Sequence, residues 1–217
     1  MATPVMRFQA EEEAYPHQRD FVLNLSAILR RRRRGAFLAL LEAGNAMNGA
    51  TSDLLAALED YAPQQYVVLL REPQGLEEVA PYLINLGRPA GGAPLTGFAD
   101  WLFGREDFSR LGIFFVSSAP FLQIKNFWQR FSQAKFQNNY LAYFRFYNPR
   151  FFNSVIKNLG KKEYQNIYSV AEVIFYFDWL EPNYVYVYQF YAEGYRIEKY
   201  DLKRENAAAL AEALLAQ

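Results

Sequence analysis

Cysteine is absent from the 217-residue chain, and histidine occurs once, at His17. The first absence excludes disulfides, thiolate metal sites and a thiol nucleophile, and it suits a reducing compartment, so the cytoplasm is the expected location. The second leaves His17 without the companion ligands of a familiar metal set, and it reads as a surface or half-buried residue near the start of a helix. Nothing approaches the run of about 18 apolar residues that a membrane span needs. The N-terminus also lacks the basic start, apolar stretch and cleavage site of a secretory leader. With 23 Lys and Arg against 23 Asp and Glu, no global field favours nucleic acid or an anionic membrane. Gly87, Gly91 and Gly92 fit neither Gly-x-Gly-x-x-Gly nor the Walker pattern, so no phosphate loop is expected. No cofactor, metal or catalytic residue is expected.

What is present is apolar and aromatic. Hydrophobic residues make up 52% of the chain, ample for one large core, and the aromatics are 19 Phe, 16 Tyr and 3 Trp, concentrated after residue 98. Tyrosine and tryptophan carry an apolar body with a polar tip, which suits surfaces that are wet when free and covered when occupied. A Tyr-rich β core explains the same composition.

Glu11-Glu12-Glu13 and the residues up to Leu29 predict a first helix with acidic residues in its first turn, followed by the five arginines Arg30 to Arg34. Gly35 then breaks the chain before the apolar run Ala36 to Leu41, read as a buried strand. A helix from about Thr51 to Tyr61, a strand Gln65 to Leu70, a long irregular stretch Arg71 to Gly97, a helix capped by Thr96 and a strand Leu111 to Val116 follow. Phe121, Ile124, Phe127, Trp128 and Phe131 recur at helical spacing. Leu141 to Phe146 is then read as a strand, Asn148 as a helix cap and Pro149 as the first helical residue. Alternating strands and helices from Ala36 to Gly160 predict an α/β fold with a mixed, largely parallel sheet flanked by helices. After Val170 the period changes to two. Tyr184, Tyr186, Tyr188 and Phe190 share one face, Glu193-Gly194 predicts a hairpin turn that sets Gln189 opposite Glu198, and a helix from Glu205 closes the chain. The expected organisation is an N-terminal helical segment with its basic run at 1–35, an α/β domain at 36–160, and a β-rich extension ending in a helix at 161–217.

The segment Tyr143-Phe144-Arg145-Phe146-Tyr147-Asn148-Pro149-Arg150-Phe151 holds the sharpest signal. A guanidinium inside an aromatic strand must face a polar side or meet an acceptor, because a buried unpaired cation costs several kcal/mol. Catalytic signals are weaker. Ser117 and Ser118 lie between a strand and a helix but lack the Gly-x-Ser-x-Gly elbow, and capping explains them. Asp178 and Glu181, three apart, resemble a carboxylate pair, yet Pro182 and Asn183 mark a solvated turn. A hydrolase built on either set is the weakest reading. An RNA-binding protein, with Arg30 to Arg34 on phosphates and tyrosines stacking on bases, is the alternative. Net neutrality counts against it.

Ala80-Pro81-Tyr82-Leu83, the strand Gly112-Ile113-Phe114-Phe115-Val116-Ser117-Ser118 and Phe144-Arg145-Phe146-Tyr147-Asn148-Pro149-Arg150 together resemble, in order and spacing, the adaptor-chaperone family of bacterial type VI secretion. Phe37 to Gly44 resembles that family's opening strand, with Glu42-Ala43 where Asp-Ala is usual. The likeness covers about Ala36 to Gly160. Two features depart from it: Asn148 stands where the family usually has Asp, and the chain after Gly160 is short and β-rich where larger relatives have a more helical lobe. The resemblance implies a non-catalytic protein that binds one secreted effector, usually near the effector's N-terminus, and helps load it onto the VgrG or PAAR spike. On that basis the expected partner-binding residues are Arg145, Tyr147, Asn148, Arg150, Tyr82, Tyr186 and Tyr188, with neither nucleic acid nor membrane as partner. Core packing is the competing role for Tyr82, Phe144 and Phe146.

Overall fold

A computed structural model describes residues 15–32, 35–42, 51–62, 65–70, 80–86, 96–135 and 141–216. In chain order the elements are α1 (Pro16–Arg32), β1 (Ala36–Glu42), α2 (Thr51–Tyr61), β2 (Tyr66–Val68), β3 (Pro81–Asn85), α3 (Thr96–Phe103), a 3-10 turn (Phe108–Arg110) and β4 (Gly112–Ser117). Then come α4 (Phe121–Phe131), β5 (Gln133–Lys135), β6 (Leu141–Tyr143), α5 (Pro149–Lys157), α6 (Lys161–Tyr168), β7 (Val173–Phe177), β8 (Tyr184–Tyr191), β9 (Gly194–Asp201) and α7 (Ala207–Leu215).

Seven strands form one sheet in the order β2-β3-β1-β4-β7-β8-β9. Every neighbouring pair is antiparallel, which corrects the expectation of a largely parallel sheet. The alternation of strand and helix was misleading for a specific reason. The strands joined through α2, β1 and β2, do run the same way, as do β3 and β4 joined through α3. Yet β3 lies between the first pair and β1 between the second, the split β-α-β arrangement. Buried strands contributed to the error, since β1, β4 and β7 are covered on both faces and read as the unbroken apolar runs typical of parallel sheets.

Successive side chains of β1 go to opposite faces. Phe37, Ala39 and Leu41 join the core beneath α1, α2, α3 and α7; Leu38 and Leu40 join the core beneath α4, α5 and α6. The structure is therefore three layers with the sheet in the middle. Gly112 is required where β4 begins, because a Cβ there would lie 1.9 Å from the carbonyl oxygen of Leu40. Gly35 turns into β1 with φ +76°, a conformation that L side chains rarely adopt.

Several local expectations change. The first helix starts at Pro16, and Glu11 to Glu13, Arg33 and Arg34 lie outside the described residues. Strand β3 occupies part of the stretch read as irregular, with Pro81 at the first strand position, where a missing N–H is tolerated. The expected strand Leu141 to Phe146 shrinks to β6, which pairs with β5 in a separate two-stranded ladder, so Arg145 follows a strand and does not lie in one. The last hairpin turns at Ala192-Glu193, so Gln189 faces Arg196 and Tyr191 faces Gly194. That offset is two residues, and each side chain keeps its expected face. Strands β7 to β9 continue the main sheet beyond β4, and α7 packs against α1.

Candidate functional site

The junction between β6 and α5 is shaped by short-range hydrogen bonds. Phe144 N–H donates to Ser132 O at 2.7 Å, and Phe146 N–H donates to Phe144 O at 2.9 Å, a tight three-residue turn centred on Arg145. Asn148 caps α5 by accepting from Arg150 N–H at 3.0 Å, with Pro149 next to it, as the sequence predicts. Between turn and cap, Phe146 and Tyr147 are pressed into the core. The Phe146 ring stacks on Trp128 at 4.9 Å, and Tyr147 meets Phe146 edge-on at 5.1 Å.

The turn throws the Arg145 guanidinium onto Glu42, the last residue of β1. Arg145 Nε donates to Glu42 Oε2 at 2.9 Å, and Nη2 reaches Oε1, a two-point pair. The Glu42 side chain is only 5% exposed and that of Arg145 is 48% exposed, so the pair sits at the rim with its carboxylate inside. Burial lowers the proton affinity of Arg145, but hydrogen bonding and charge from Glu42 more than compensate and its pKa rises. The Tyr147 hydroxyl bonds to both partners. Burial first, then the Glu42 charge, pushes it well above the ordinary tyrosine value, while Arg145 pulls it down. Glu42 belongs to the segment that resembles the family's opening strand and Arg145 to its last motif. Two motifs 103 positions apart thus meet in one ion pair.

Arg150 points elsewhere. Its guanidinium lies 4.2 Å from the centre of the Trp179 ring, and Arg110 lies 5.8 Å from the same ring. Tyr143, Phe144 and Phe151 on the junction, and Leu180 beside Trp179, are exposed large apolar residues. Arginine, tryptophan and exposed phenylalanine in one neighbourhood are the residue types enriched at protein contacts.

The other expected contact residues are placed differently. Tyr82 and Tyr188 are 0% exposed and belong to the two cores, so neither offers a surface in this conformation, which corrects their expected contact role. A strand interior under helices leaves no room for a wet face. Tyr188 does serve the junction indirectly, since its ring meets Phe152 of α5 at 5.2 Å. Tyr186 is half-buried, stacked on Tyr176 at 5.2 Å with Lys199 Nζ 5.3 Å from its ring. Ser117 is buried and its hydroxyl accepts from Ala119 N–H at 3.1 Å. Asp178 accepts from the N–H groups of Leu180 and Glu181, which makes it a turn residue. Of the arginine run, Arg31 and Arg32 pair with Glu212 of α7. Among the described residues no group of three His, Cys, Asp or Glu converges as a metal would require.

Sequence reasoning missed Glu42 and Trp179. The signal for the first was present: an acid ending an apolar strand needs a cation as much as a cation in an aromatic segment needs an acid. For Trp179, adjacent to the Asp178 turn, nothing in the spacing pointed to Arg150.

A family model described as a domain of unknown function, DUF4123, matches residues 39–166. The chain belongs to that family. The DUF4123 match spans more than half of the 217 residues, from β1 into α6, and so contains both Glu42 and Arg145. No curated protein and no solved structure matches the chain significantly. Among the described residues no helix is long and apolar enough to cross a membrane.

Proposed function

We propose that this DUF4123 protein is a non-catalytic adaptor-chaperone that holds a type VI secretion effector in the cytoplasm and helps load it onto a VgrG or PAAR spike. The observation that carries the reading is the junction itself. The Glu42–Arg145 pair and the Asn148-Pro149 cap fix its backbone, while Tyr143, Phe144 and Phe151 stay exposed along it, as does Leu180 beside the Trp179 on which Arg150 stacks. Rigid apolar area next to an oriented cation suits capture of another polypeptide, because little conformational freedom is left to lose on binding. The motif resemblance adds the kind of partner: an exported effector, held through a region near its N-terminus. No bond is made or broken in this scheme.

Co-expression with the large product encoded beside it tests the reading. The effector is expected to become soluble and to co-elute with the adaptor, and Phe151→Asp is expected to reduce co-elution at least tenfold without lowering the melting temperature. Failure to associate with any neighbouring effector or spike product, or turnover of a small substrate by the purified protein, would overturn it.

A further inference from the structure

The opposite end of the sheet holds a groove of about 450 Å³, where β1 starts and β4 and β8 finish. That volume falls within the roughly 300–1,000 Å³ of ordinary binding pockets. Its walls include Leu29, Val116, Val173, Phe190, Leu214 and Leu215. Set among them is Gln189, 3% exposed, and its carboxamide is only partly met. Oε1 accepts from the Tyr191 hydroxyl at a long 3.4 Å, and Nε2 finds no acceptor. A buried donor of this kind is costly unless something supplies an oxygen.

The charges around the groove restrict what that something is. Arg32 lines it, but its guanidinium already donates to Glu212 Oε2 at 2.7 Å and to the carbonyl of Leu215. Glu172 adds a negative charge at the mouth. An anionic guest would meet a neutralised cation and a carboxylate, so the fitting acceptor is an uncharged carbonyl on an apolar body. One residue of an extended strand presents its N–H and C=O on the same side, the complement of a carboxamide.

We propose that this groove takes a short, uncharged, apolar stretch of a partner polypeptide in extended form, with one backbone carbonyl accepting from Gln189 Nε2. The guest N–H on the same residue replaces Tyr191 at Oε1. The identity of the partner as an exported effector rests on the adaptor reading; the chemistry of the groove does not. The two ends of the sheet would then hold separate parts of one client.

The full-length protein is titrated with acetyl-Leu-Val-Leu-N-methylamide and followed by amide NMR. Saturable shifts are expected around Val116 to Ser118, Val173 and Gln189 to Tyr191, with at least tenfold weaker binding for Gln189→Leu and for the acidic probe acetyl-Leu-Glu-Leu-N-methylamide. Shifts elsewhere only, none at all, equal binding by Gln189→Leu, or tighter binding of the acidic probe would each overturn the proposal. In the co-expression assay, Ser118→Trp fills the groove from an exposed position, and a melting temperature equal to wild type checks that it folds. A tenfold loss of effector in that variant supports the groove; full-yield co-elution overturns it while leaving the adaptor reading intact. Failure of the wild-type chain to associate would sink the adaptor reading, and the tripeptide titration would still decide the groove.

Discussion

The two ends of the central sheet treat a buried polar side chain in opposite ways. Where β1 finishes, Glu42 is met by two guanidinium contacts and a tyrosine hydroxyl, and the pair pins a junction that crosses 103 positions of sequence. Where β1 starts, Gln189 keeps an unmet donor beside a cavity. The first arrangement stabilises a fixed shape. The second leaves interaction energy unrealised in the free chain, as expected of a place completed by a partner. Both lie on strands buried under helices, so the difference is in local chemistry and not in depth.

The largest test of the contrast is Arg145→Ala, which strands the Glu42 carboxylate in a site that water barely reaches. A loss of about 2 kcal/mol of unfolding free energy is expected, below the cost of breaking a fully buried pair because Arg145 is half exposed and the Tyr147 hydroxyl still meets the carboxylate. Urea unfolding measures it, and the Arg145→Ala, Glu42→Gln double variant should recover part of the loss. A single variant as stable as wild type would mean that the two ends do not differ.

The same end should carry an alkaline signature. Unfolded tyrosine releases its proton near its ordinary value of 10.0, whereas folded Tyr147 holds it to higher pH, chiefly because burial opposes the phenolate. Above that value the folded state binds more protons than the unfolded one, so the stability from Tyr147 is complete below pH 10 and declines as pH rises. Melting temperatures across pH 8 to 11.5 should fall more steeply in wild type than in Tyr147→Phe. Parallel curves would remove Tyr147 from the cluster. Tyr176 of the same core, pushed up to about 12 by burial, adds a slope that both proteins share.

At the groove the sign reverses. Gln189→Leu removes an unsatisfied donor and is expected to stabilise the free protein by about 1 kcal/mol while impairing partner binding. Destabilisation would show that the amide is satisfied in solution and that the two ends are alike. The smallest effect is expected from Arg150→Ala. Its stack on Trp179 lies at an exposed site and is worth about 0.5–1 kcal/mol, so the variant should melt close to wild type yet co-elute less effector.

Much of the architecture was legible along the chain. Asn148-Pro149 announces the start of α5 because a side-chain acceptor and a residue without an N–H both satisfy the same local geometry. Alternating Tyr and Val from Tyr184 to Tyr188 announces β8, and even a hairpin turn placed one residue off, which shifts the pairing by two, preserved its faces. Strand β3 was hidden because its Pro81 reads as a breaker, and only the pairing of Leu83 with Leu40 shows that Pro81 merely opens a strand.

At the site, Arg145 was legible as a cation in need of an acceptor, whereas its acceptor was not. Glu42 could have been any of the acids in the chain until β1 and the junction were brought side by side.

The sequence by itself determined most of the helices and several of the strands, where α5 is capped, and that Arg145 had to be answered, because propensity, capping and the cost of an unpaired charge act over a few residues. Only the tertiary structure decided the direction of the strands, the choice of Glu42 as the partner, the stacking of Arg150 on Trp179 and the unmet amide of Gln189. Those depend on which distant segments pack together, and an apolar run buried on both faces carries the same pattern whether its neighbours are parallel or antiparallel.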